Sequence, residues 1–131
     1  MVEAHAWNED LDVAHEAMDH EHHLQIALVS AFADAVEQRR PWLARRLAEQ
    51  LTSYSMVHFG SEELLMEAAG YAGQEAHAAE HAAFLAQMRD LEESFDEEAP
   101  EIALAAALDL RSAIAGHIRG ADRRLAEGTR R

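Results

Sequence analysis

"HFGSEELLM", residues 58–66, is the stretch on which the fold turns. Taken alone it could open a surface helix with Ser61 as its cap. Extended backwards, it completes the series Leu43, Leu47, Leu51, Tyr54, His58, Glu62 and Leu65, which advances by three or four residues, the spacing of one helix face. On that stripe His58 and Glu62 point inward, one turn apart. A buried glutamate costs several kcal/mol unless it is paired or metal-bound, so the helix is aimed at something that needs it.

Three more helices follow from the same reading. Residues 19–39 carry Ile26, Val29, Ala33 and Val36 at helical spacing, with Asp19 as N-cap and Pro41 as the stop. The second helix spans about 42–66 and ends at "GYAG". The third, about 74–95, lines up Phe84, Leu85, Met88, Leu91 and Phe95 and stops at "DEEAP". The fourth, about 99–127, follows Ile102, Ala106, Leu110, Ile114, Ile118 and Leu125. Short connections make neighbours antiparallel, so the expected fold is an all-α, up-down-up-down four-helix bundle. Residues 1–18 form an irregular arm pinned by Trp7, Leu11 and Val13, and the 131 residues make one domain.

Composition agrees and narrows the function. Hydrophobic residues make up 49% while glycine (6) and proline (2) are scarce, a helical profile. There is no cysteine, so thiolate sites and disulfides are excluded and any metal must take imidazole and carboxylate ligands. A formal charge of −14 repels nucleic acid and anionic lipid. No segment reads as a signal peptide or a membrane span, which points to a cytoplasmic protein. All 11 basic residues are arginine. Arg39, Arg40, Arg45 and Arg46 cluster at the first turn, either as a docking patch or as a solvated corner.

The anomaly is nine histidines. His77 and His81 lie four apart on the third helix, leading into Phe84. His22 is one turn before Ile26, and His117 follows Ile114. A lone histidine on an apolar face is most often an ordinary core residue, but here every helix delivers one. In an antiparallel bundle, His58 late in its helix, His77 and His81 early, His117 late and His22 early all meet at the same end. His5, His15, His20 and His23 do not fit that geometry and read as arm or surface residues. Five imidazoles and a carboxylate exceed a structural zinc site and suit two iron ions in a bundle core.

The motifs "MDHEH" (18–22), "HFGSEELLM" (58–66), "HAAEHAAF" (77–84) and "HIRGAD" (117–122) resemble the hemerythrin family in its bacterial single-domain form. The opening "WNEDLDV" (7–13) is similar to the tryptophan-led arm of that form. By periodicity Asp122, five residues after His117 and about 140° away on an ideal helix, reads as a solvated acid. The resemblance instead implies that Asp122 and Glu62 bridge two irons, with an oxo or hydroxo group as the third bridge. It further implies that His77, His81 and His117 complete one iron, while His22 and His58 hold the other and leave it a free position. O2 would bind there reversibly as hydroperoxide, in a pocket of Gln25, Ile26, Phe59, Ile114 and Ile118, with Met66 capping the site and Glu63 facing solvent.

Gln25 stands where many relatives carry leucine. It could donate to a bound peroxide, or rotate away and leave Ile26 to fill the space. Gly60, Gly116 and Gly120 flank the expected ligands although each costs roughly 1 kcal/mol in a helix. An O2 carrier or store is the first expectation, because the domain takes up the chain and leaves no room for an output module. An enzyme acting on peroxide or nitric oxide, or an O2 or redox sensor, is the alternative, and metal storage the third. Oligomeric state is open, with a monomer compatible.

Overall fold

A run of Met18, His22, Gln25, Ile26, Val29, Phe32, Ala33 and Val36 is buried along helix α1, Glu16–Glu37, as the three-and-four spacing requires. In the computed structural model, which describes residues 16–129, α1 is followed by α2 (Pro41–Ala69), α3 (Gln74–Ser94) and α4 (Pro100–His117). A π turn, Ile118–Asp122, then leads into the short α5, Arg123–Thr129. The expected arm anchors Trp7, Leu11 and Val13, and His5 and His15, lie outside the described residues.

The elements form the expected bundle. α1 packs on α2 and α4, and α3 on α2 and α4, so each helix lies beside its antiparallel neighbours. No strand occurs among the described residues. The core is a column of Phe32, Leu51, Met88, Ile114 and Leu125, all nearly inaccessible to solvent. No helix among the described residues is long and apolar enough to cross a membrane.

Several boundaries and stripes differ from expectation, each for a local reason. Asp19 is inside α1 and not its cap. The chain leaves α1 at Glu37, before Pro41, through a turn in which Arg40 N–H reaches Ala35 O (2.9 Å) and Arg39 N–H reaches Val36 O (3.1 Å). This is the Schellman arrangement, and Arg39 takes its left-handed position at φ 56°. α2 ends in the same way, but with Gly70 at φ 61°. α2 also passes through Gly60 without a break, Ser61 donating back to Val57 O (3.0 Å), so no helix restarts there.

The α2 core row is Ala44, Ala48, Leu51, Ser55, Phe59 and Glu62, with Leu43, Leu47 and Leu65 at its edge. On α4 it is Ala103, Ala107, Leu110 and Ile114, while Ile102 and Ala106 face solvent. In helices this rich in alanine, small residues take the tightest contacts and push the larger ones to the flank.

Candidate metal centre

The α2 pair His58 and Glu62 is buried at one end of the bundle, and three other helices bring histidines to it: His22 from α1, His77 and His81 from α3, and His117 from α4. Asp122 arrives by the π turn. Hydrogen bonding from i to i+5 adds one residue to the turn, so a residue five positions on returns to the same face. That cancels the angular offset of a regular helix and sets Asp122 beside His117, where it is buried and not solvated.

The two carboxylates divide the histidines between them. Glu62 Oε2 faces His58 Nε2 (3.1 Å) and His22 Nε2 (3.3 Å), while Oε1 faces His81 Nε2 (3.0 Å) and His77 Nε2 (3.2 Å). Asp122 Oδ2 faces His22 Nε2 (2.9 Å), while Oδ1 faces His77 Nε2 (2.8 Å) and His117 Nε2 (2.9 Å). Two donor groups result, Glu62, His77, His81, His117 and Asp122 in one and His22, His58, Glu62 and Asp122 in the other, each within 4.8 Å.

Close as these atoms are, they satisfy one another only in part, His22 and His77 each bonding Glu62. Nε2 of His58, His81 and His117 and Oδ1 of Asp122 are buried with no hydrogen-bond partner. Buried polar atoms are nearly always paired, so a convergent set left unpaired fits a cation at its centre.

Behind the inner shell stand three more carboxylates. Glu21 lies 2.6 Å from His58 Nδ1, Glu63 2.9 Å from His81 Nδ1, and Glu80 2.7 Å from His117 Nδ1. An Nδ1–H donating outward leaves the Nε2 lone pair pointing inward, the tautomer a metal ligand needs. Glu63 is half exposed, but it holds His81 and does not simply face solvent. Glu21 and Glu80 had no signal of their own in the sequence beyond lying next to His22 and His81. His22 Nδ1 is buried and has no partner among the described residues.

Electrostatics follow the same division. Burial opposes protonation of His22 and His77, but Asp122 and Glu62 outweigh it and push both up to about 9. His58 and His117 are also raised, against burial, by Glu62 and Asp122 respectively. Burial favours the neutral form of both inner carboxylates, yet the surrounding imidazoles hold Glu62 and Asp122 well below the ordinary carboxylate value.

Aromatic rings wall the cluster. Phe59 stacks on His81 with centroids 4.1 Å apart, and Phe84 meets His117 edge-on at 5.1 Å. Ile26, Ile114 and Ile118 are buried. Gln25 is buried too, but its amide donates to Ser55 Oγ (2.9 Å). It has not rotated out of the core, and Ser55 takes one of its two amide hydrogens. His20 and His23 are exposed, and Met66 is part of the core.

The sequence profile of the family described as "Hemerythrin HHE cation binding domain" matches residues 13–127. Proteins called Bacteriohemerythrin are similar: that of Pseudomonas aeruginosa (strain LESB58) is 29% identical over 84 residues, 64% of this chain and 55% of its own length. That of Stenotrophomonas maltophilia (strain R551-3) is 26% identical over 121 residues, 92% of this chain and 78% of its own. The matched region thus spans little more than half the length of the Pseudomonas relatives. No solved structure matches significantly. With the family profile covering nearly the whole bundle and a cation-ready cluster at its end, the chain belongs to the hemerythrin family.

Proposed function

We propose that the centre holds two iron ions and that the protein binds O2 reversibly, as a carrier, store or delivery protein. The observation that carries this reading is the split of the carboxylates: Glu62 and Asp122 each turn one oxygen to His22 and another to the α3 histidines. In this reading His77, His81 and His117 hold one ion, His22 and His58 the other, and Glu62 and Asp122 serve both. The second ion has one protein ligand fewer, which suits a small exchangeable ligand. When bound, such a pair supplies two electrons to O2 and takes them back on release.

The chain's own residues then have defined tasks. Nitrogen and carboxylate donors suit iron. Glu21, Glu63 and Glu80 fix imidazole tautomers and raise ligand basicity. Phe59, Ile26, Ile114 and Ile118 keep water away from the centre, which favours release of the ligand unchanged.

Anaerobic loading with ferrous iron, metal analysis, and repeated oxygenation and deoxygenation under a spectrophotometer test this. About two irons per chain, a number set by the two donor groups, and a visible spectrum that reverses are expected. Loading without a spectral response to O2 would leave metal storage as the function.

A second reading, an enzyme acting on peroxide or nitric oxide, draws on one observation. The Gln25–Ser55 pair sets polar groups one turn from His22 and His58, where a pure carrier is served by apolar side chains.

A further inference from the structure

At the end of the bundle away from the histidines, α3 and α4 part. These two pack least closely of the four neighbouring pairs, and between them runs a groove of about 370 Å3. Its floor is apolar, built from Leu91, Phe95, Ala103 and Leu110, and Ile102 stands 67% exposed at its edge. Asp90, Asp96 and Asp109 form the rim and are all exposed. An apolar floor with a rim of one sign selects an occupant with an apolar body and the opposite charge.

The adjacent corner of the same chain has that chemistry. Trp42, in the first turn of α2, is 71% exposed, with Arg39, Arg40, Arg45 and Arg46 exposed around it. The Arg46 guanidinium lies 5.5 Å from the Trp42 ring centroid. Arg45 stands 5.0 Å over Phe95 and 3.2 Å from Glu97, joining the basic corner to the groove wall. Arg39 keeps a left-handed backbone where the matching turn of α2 uses Gly70. Strain of this kind persists where a side chain is used. Tryptophan and arginine are also the residues that most often dominate interfaces.

We propose that this end of the bundle is a contact between two copies of the chain, in which Trp42 of each enters the α3–α4 groove of the other and Arg39 and Arg40 meet its aspartate rim. Patch and groove lie side by side, so one two-fold axis satisfies both contacts and points the two histidine clusters away from each other. Residues 1–15 are a poor occupant, since Glu3, Glu9, Asp10 and Asp12 give them the sign of the rim and they contain no arginine. The net charge of −14 opposes association at long range, so the contact is a weak one. A dissociation constant on the order of 10–100 μM is expected.

Sedimentation equilibrium of the purified full chain, from about 5 to about 500 μM to bracket that constant, reads the mass directly. A monomer that becomes a dimer is expected, with the association weakened about tenfold or more by Trp42→Ala. Two charge-reversed variants decide the geometry: Asp90→Arg with Asp109→Arg in one, Arg39→Asp with Arg40→Asp in the other. Each alone stays monomeric, and an equal mixture pairs, because every reversed groove then meets a reversed patch. All these positions are exposed, and iron loading at the far end reports that each variant is folded. A native chain that stays monomeric, a dimer that survives either reversal, or loaded variants that fail to pair when mixed overturns the proposal.

Discussion

Glu80 precedes His81 in the sequence, yet its carboxylate sits 2.7 Å from Nδ1 of His117 on the next helix. Its loss would leave the His117 ring free to choose its tautomer and orientation. Glu80→Ala is therefore expected to weaken metal binding by roughly 10–100-fold with helicity intact, read by competition with a chelator. An unchanged affinity would show that packing by Phe84 alone orients His117. Gln25 gives a second prediction. Replacing it with leucine removes a polar group near His22 and frees Ser55, so Gln25→Leu should slow the irreversible loss of O2 binding on standing in air. Equal rates would mean that the Ser55 bond keeps the amide out of the chemistry. Glu62 and the five inner histidines were legible because each sits on an apolar stripe. The outer carboxylates were not, because which histidine a glutamate serves depends on the relative register of two helices, which spacing within one helix does not encode.

Among the elements, the π turn decides whether Asp122 belongs to the site. One residue too many for an α-helix is held between His117 and Arg123, and a regular helix would turn Asp122 away. Deleting Gly120 is expected to restore a regular helix in which the aspartate, now four residues after His117, stays within about 40° of it, so the far-UV spectrum and the iron content should both be kept. Loss of iron in the deletion variant would show that the π turn sets more than the phase of Asp122. Periodicity hid this turn, since an insertion of one residue alters phase without altering composition, and only Gly116 and Gly120 marked the region as unusual. The phase of α4 differs for a related reason: with alanine at 103 and at 105–107, Ile102 with Ala106 and Ala103 with Ala107 are equally regular rows, and only the packing selects the second. At the α1 end, the left-handed Arg39 predicts that Arg39→Gly raises unfolding stability by up to about 1 kcal/mol in chemical denaturation. The same variant should self-associate more weakly, which separates local strain from contact.

For the molecule as a whole, the metal-free cluster ties stability to pH. His22 and His77 bind protons more tightly folded, at about 9, than unfolded, near 6.5. Their contribution is thus fully present below about pH 6.5 and is lost as pH rises through about 9. Glu62 and Asp122 are shifted the other way, so theirs is present above about pH 4 and lost as pH falls below it. The chelated chain should therefore melt at progressively lower temperature from pH 6.5 to 9. The iron-loaded chain should not, since the ion takes the place of the protons. Parallel melting curves for the two forms across that range would contradict this.

The outer carboxylates carry a further consequence at this scale. Glu21 on α1 supports His58 on α2, Glu63 on α2 supports His81 on α3, and Glu80 on α3 supports His117 on α4. Among the described residues the relay runs one way round the bundle and does not close, because His22 Nδ1 back on α1 has no partner there. A ring with a single open joint leaves one imidazole without an outer carboxylate: among the described residues the orientation of His22 rests on the inner pair, Glu62 and Asp122.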